Sequence, residues 1–411
     1  MIILLLLIFQ LKLLLKGIAN KSITKASLGA ILVGFGSVCI LHLEFAYTGV
    51  STYGSDEQVY YNEIINAINS FDWLAYINDK FNTTYLLYGS LIINTSLTDS
   101  IILIRLCNVL LFVNSILFVY KIMTKYIDVN YNVSRFMVWF ILFNGVVIWT
   151  AVRNLKDILF LYLLVIFIYI LFKLLENIKI NLWLIVPLTI IYYFIQDLRQ
   201  WFIYLLLVLF ASIIINSLLK RKKIFTLATL IVALSVIVVP FAQKGLNTFD
   251  LYTKTYSVTQ QSLGGDSLTQ MVNSSLLSLP MSMGRFILGP GPIRALFGSE
   301  SFLFFTYTGN VLIFLGSLAW WLFLPLFLLS LISLRNIKKN YIIFLVMMFY
   351  WVVYSIAYAG SGDTRLRAVF YILAAMYTAP YLSKVRLTKN YNMIYYLILI
   401  AVIMIGLYFS T

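Results

Sequence analysis

The sequence predicts an all-α fold, a polytopic transmembrane helical bundle of about twelve spans. Three observations predict it. Of 411 residues, 62% are hydrophobic and only 11% charged, well outside the composition of ordinary soluble domains. Apolar runs of about 20 residues, the length a helix needs to cross roughly 30 Å of hydrocarbon, recur along the chain. The lysine clusters fall in alternate connections, and the other polar motifs fall in the connections between them. The whole chain, 1–411, therefore reads as a single integral membrane domain.

The first apolar run, 1–15, reads as a span and not as a cleaved signal peptide, because no basic segment precedes it. Further spans are expected at 27–46, 101–120, 134–151, 157–173, 180–195, 200–218, 224–241, 303–333, 341–358, 366–383 and 393–410. The run 303–333 is too long for one upright helix and is expected to tilt, to break near Gly309 or Gly316, or to begin as an interfacial helix. Tyr85–Leu97 is too short to cross and reads as re-entrant or interfacial.

Six connections carry the basic residues: Lys12, Lys16, Lys21 and Lys25; Lys121, Lys125 and Arg135; Lys173 and Lys179; Lys220 to Lys223; Arg335, Lys338 and Lys339; Lys384, Arg386 and Lys389. They contain only Asp128 and Glu176 among the 15 acids. Basic loops remain in the cytoplasm, which puts both termini outside. The net charge of +15 is thus a topology signal, and no nucleic-acid partner is expected. Cys39 and Cys107 lie inside predicted spans, so no disulfide is expected, and the lone His42 is too little for a zinc site. No nucleotide-binding loop of the Walker type is present, which argues against an ATP-driven pump. No cofactor is expected.

The opposite face carries the unusual residues. In the first external loop, 46–84, a helix would set Asp56, Tyr60 and Glu63 on one side and turn Glu57 about 100° away. One carboxylate would then be placed to act as general base on an acceptor hydroxyl. The competing reading is that Ser55 caps the helix while Asp56 and Glu57 favour its dipole. At the next external hairpin, Arg153 and Asp157 are one turn apart and either neutralise each other or leave Arg153 to join Lys156 around a phosphate. Asp197 and Arg199 repeat the arrangement beside Trp201, an interfacial anchor by its position.

Near the last external ends, Gly360 and Gly362 allow a tight turn, and in an extended segment Asp363, Arg365 and Arg367 point the same way. The plain alternative is a solvated loop in which Asp363 pairs with one arginine. The long external loop, 243–301, holds Arg285, Arg294 and a Gly-Pro-Gly-Pro turn, and reads either as a lid along the interface or as an irregular loop.

An acidic first external loop, basic external hairpins, a long later external loop and a Gly-Asp-x-Arg-x-Arg turn together resemble the GT-C membrane glycosyltransferases of bacterial surface-polysaccharide assembly. The likeness covers most of the chain as a layout with short motifs. It implies a GT-C-like fold whose external loops form the site, at the periplasmic or extracellular face of a bacterial inner membrane. It also implies a polyprenyl-phosphate-linked sugar as donor, Asp56 as the catalytic acid position with Glu57 second, and Arg153, Lys156, Arg199, Arg365 and Arg367 as phosphate ligands. Asp363, Asp197, Arg285 and Arg294 are secondary candidates.

The acidic loop follows the second predicted span where the family has it after the first, as an added N-terminal helix would produce. The loop also lacks an Asp-x-Asp pair, so metal independence is expected. Two alternatives accompany the single-sugar transferase. One is an O-antigen or capsule repeat-unit polymerase acting on oligosaccharides carried by polyprenyl pyrophosphate. The other is a flippase or transporter of a lipid-linked oligosaccharide, which would spread charges through the spans and not gather them at external ends.

Overall fold

The structure is a computed structural model that describes residues 2–49, 55–78, 80–96, 100–176, 182–220, 279–289, 291–292, 307–333, 336–337, 340–357, 364–385 and 389–410. Among these residues every regular element is helical and no strand occurs. The order is α1 (Ile2–Ile18), α2 (Lys21–Thr48), α3 (Ser55–Asn69), α4 (Trp73–Asn78), α5 (Thr83–Ser96), α6 (Ile101–Lys121), α7 (Tyr131–Leu142), α8 (Gly145–Ala151) and α9 (Lys156–Glu176). Then follow α10 (Ile185–Leu198), α11 (Phe202–Lys220), α12 (Leu279–Leu288), α13 (Tyr307–Ile332), α14 (Tyr341–Ala357), α15 (Thr364–Leu382) and α16 (Lys389–Ser410).

The chain is an all-α helical membrane protein. Four helices, α2, α6 with the π turn that extends it, α9 and α13, are long and apolar enough to cross a bilayer, and the pair α7–α8, bent by 56°, adds a fifth. That is fewer than the dozen expected. Among the described residues α1, α10, α11, α14, α15 and α16 do not present so long an apolar stretch, and 224–241 lies outside the described residues.

The interior is built around two staves. α6 buries almost every side chain, and α15 buries each residue from Leu366 to Pro380. α1, α2 and α9 pack on α6, while α8, α13 and α14 pack on α15. Polar groups stitch the apolar helices together, as they do where lipid offers no competing partner. Gln10 Nε2 donates to the Tyr162 hydroxyl at 2.7 Å, and Asn114 Nδ2 donates to Leu7 O at 3.1 Å, tying α1 to α9 and α6.

Residues 134–151 do not form one straight span. Asn144 interrupts them, its side chain accepting from Val146 N at 3.1 Å to cap α8 and donating to Gly316 O at 3.1 Å. Gly316, one of two expected break points, is instead a packing notch in an unbroken α13: a Cβ there would strike the backbone of Val146, and one at Gly145 would strike Leu312. At 26 residues this helix is about 39 Å long, so it exceeds a crossing without breaking. Of the stretch 85–97, the residues up to Ser96 lie in α5, a short helix packed against α3, α6 and α10, and Leu97 lies outside the described residues.

The described part of the long external loop is α12, held by its carbonyl end. Arg367 Nε, Trp320 Nε1, Trp321 Nε1 and the Tyr371 hydroxyl donate to the carbonyls of Phe286, Ile287, Leu288 and Gly289 at 3.0, 2.6, 2.7 and 3.1 Å. These are the groups a helix C-terminus leaves without intrahelical partners. A side chain at Gly289 would run into the Arg367 guanidinium. Trp351 Nε1 adds a bond to Met283 O at 3.1 Å.

The two ends of the bundle differ. At one end Lys125 pairs with Glu176 at 3.1 Å, Tyr131 bonds Asn20 at 3.1 Å, and Asn130 reaches Ser383 O at 3.4 Å. The lysine-bearing ends of α6, α9 and α15 meet there. The opposite ends of α9 and α15 meet the start of α3 and the end of α10, and carry the charged cluster.

Candidate functional site

Four separate segments supply an outer chain of ion pairs. Asp56, in the first turn of α3, pairs with Arg365 Nη1 at 2.6 Å, and Arg365 Nε lies 3.8 Å from Asp157. Asp157 in turn pairs with Arg199. Asp157 stands in the first turn of α9, where the helix dipole favours a carboxylate. Its side chain is 1% exposed, whereas that of Asp56 is 48% exposed. Arg199 also faces the rings of Tyr354 and Phe160, 5.6 and 5.9 Å from their centres.

Lys156 Nζ donates to Asn82 Oδ1. Asn82 adopts a left-handed φ of 59° immediately before α5, a conformation that costs a non-glycine residue free energy and recurs at functional sites. Two residues on, Thr84 N donates to Asp197 at 2.7 Å. The segment after α4 is thus fastened to α9 and α10 at the rim of the cluster. Tyr60, one turn beyond Asp56, packs edge-on against Tyr85 with centroids 5.1 Å apart. Burial, reinforced by Asp157, holds its phenol well above the ordinary tyrosine range, so it remains a hydrogen-bond donor.

An inner set lies directly beneath. Glu57 is fully buried and accepts from Arg105 Nη2 at 3.0 Å and from Arg153 Nε at 2.7 Å. Asn154 Nδ2 donates to Glu57 O at 3.3 Å, while the Tyr85 hydroxyl donates to Asn154 Oδ1 at 2.7 Å. Asn108 links Tyr88, at 3.1 Å, to the Arg153 carbonyl at 2.9 Å. Arg105 also lies 5.1 Å from the Phe45 ring centre. α3 is therefore locked onto α6 and the α8–α9 turn by a desolvated glutamate.

Several expected roles change. Glu57 is no reserve for Asp56: the 100° step between adjacent helix positions turns it into the core. Arg153 and Asp157 do not pair with each other, because each has a partner from a distant segment. Arg365 and Arg367 do not point the same way. The helix already begins at Thr364, so two positions diverge by about 200°, and Arg367 goes to the α12 clamp. Trp201 packs against Tyr350 and Tyr354, with centroids 5.9 and 5.7 Å away. Arg285 sits in the last turn of α12. Asp363 and Arg294 lie outside the described residues.

Arg105 and Asn82 were not singled out by the sequence. For Arg105 a signal exists, since an arginine inside an apolar span is costly unless paired. For Asn82 none does.

Among the described residues, the two tiers and their rim bring together Arg105, Arg153, Lys156, Arg199 and Arg365 with Asp56, Glu57, Asp157 and Asp197. The outer tier supplies forked and point-like donors suited to phosphate oxygens. Among the described residues no three His, Cys, Asp or Glu converge in a way that could hold a metal ion. No family model, no curated protein and no solved structure matches the chain.

Proposed function

We propose that the chain is a membrane glycosyltransferase that moves a sugar from a polyprenyl-phosphate donor to an acceptor at the extracytoplasmic face of a bacterial inner membrane, within a bundle of about twelve spans. The observation that carries this reading is the meeting of Lys156, Arg199 and Arg365 around Asp157 and Asp56 at the end of the bundle away from the lysines. A lipid tail can lie among apolar helices while its phosphate reaches these cations. As the sugar–phosphate bond breaks, negative charge grows on the leaving phosphate, and preplaced guanidinium groups stabilise it. The acceptor hydroxyl needs a base, and the half-exposed Asp56 is within its reach.

A repeat-unit polymerase using a pyrophosphate carrier is the second reading, favoured by the two guanidinium groups, Arg199 and Arg365, that flank Asp157. Purified protein supplied with a single-sugar polyprenyl phosphate, or instead with a pyrophosphate-linked repeat unit, separates the two by product size. A new glycosidic bond with the first donor supports the transferase. Transport of an intact head group with no new bond overturns both readings.

A further inference from the structure

Among the described residues Arg365 lies against two carboxylates in different surroundings. Asp157 is buried at the start of α9 and further held by Arg199; Asp56 stands half exposed on the first turn of α3 and makes the closer contact, 2.6 Å against 3.8 Å. Of the two, Asp56 is the one whose loss costs less, since its side chain is half hydrated while that of Asp157 is buried. The oxygen it places on Arg365 lies where a phosphate oxygen would receive the same guanidinium donor, within the electrostatic reach of Lys156 and Arg199. A carboxylate engaged by a guanidinium has fewer lone pairs for an acceptor hydroxyl.

We propose that Arg365 is handed from Asp56 to the substrate's phosphate, so that the docking anion itself releases the carboxylate that acts as base. This deepens the transferase reading and rests on it. Asp157 remains on Arg365 and Arg199 throughout and keeps both guanidinium groups aimed. Once released, Asp56 takes the proton of the acceptor hydroxyl. The acceptor oxygen forms its bond to the anomeric carbon as the bond from that carbon to the phosphate oxygen breaks, and the electron pair leaves on the phosphate held by Arg365. The device couples catalysis to occupancy, because without a donor the base stays engaged.

The test is equilibrium binding of farnesyl phosphate to the full-length, detergent-solubilised protein by calorimetry, paired with the transfer assay. Asp56→Asn is expected to bind the probe about threefold more tightly than wild type, since the competing carboxylate is gone, while transfer is lost. Asp56→Ala gives the same tightening and serves if the Asn variant folds poorly. Affinity equal to or weaker than wild type in both variants overturns the exchange. Arg365→Ala distinguishes the two levels: unchanged probe affinity in that variant removes the phosphate reading of the site, whatever the Asp56 variants do.

Discussion

Asp56 and Glu57 are neighbours in sequence and opposites in circumstance. Glu57 is fully buried between Arg105 and Arg153, while Asp56, one helix step away, is half exposed against Arg365. The inner set is fixed: every group is desolvated, so breaking one pair leaves a buried charge without compensation. The outer set is exchangeable, since water or a ligand can replace a partner at small cost. Burial, and not residue type, therefore separates the carboxylate that holds the site together from the one available for chemistry. The same division parts Arg365, in the cluster, from Arg367, which closes the end of α12.

Substitutions along this gradient test the contrast. The largest effect is expected for Glu57→Gln, which leaves two buried guanidinium groups facing a neutral amide and should cost about 3–5 kcal/mol. Its detergent melting temperature should fall below that of every other variant named here, and a melting curve close to wild type would remove the distinction between tiers. Asp157→Asn comes next. It weakens charge-assisted bonds to Arg199 and Arg365 and should cost about 1.5–3 kcal/mol in the same measurement.

Arg367→Ala leaves the Phe286 carbonyl without that donor, at a cost of about 1–3 kcal/mol. Its expected signature is faster proteolysis near α12 with probe affinity close to wild type. A loss of affinity as large as that in Arg365→Ala would instead return Arg367 to the phosphate site. Asp56→Asn should be the mildest for stability, about 0.2–1 kcal/mol, despite losing transfer. Salt sharpens the contrast further: raising ionic strength from about 0.1 M to about 1 M shortens the screening length from ~10 to ~3 Å. Probe affinity should fall over that range, whereas the stability gap between wild type and Glu57→Gln should persist.

Much of the outer cluster was legible beforehand. Asp56, Lys156, Arg199 and Arg365 stand out because ionisable residues at the ends of apolar runs are rare and costly. Helical periodicity also anticipated that Asp56 and Tyr60 would share a face and that Glu57 would turn away. What it left open was which face meets the core. The pairing of Arg153 with Asp157 looked natural because they are one turn apart, yet contacts from α3, α10 and α15, distant in sequence, took both residues. The parallel aim of Arg365 and Arg367 required an extended backbone, and α15 starts too early for it.

Composition and charge order decide the helical membrane class and the sorting of polar residues to the two ends, because both follow from the free energy of placing each residue type in hydrocarbon or beside it. That energy is local and additive enough to be read one segment at a time. The choice of partners is not. Whether a carboxylate becomes a buried anchor or an exchangeable ligand depends on which helices close over it, and only the packing of α3 against α6, α9 and α15 assigned Glu57 to the first role and Asp56 to the second.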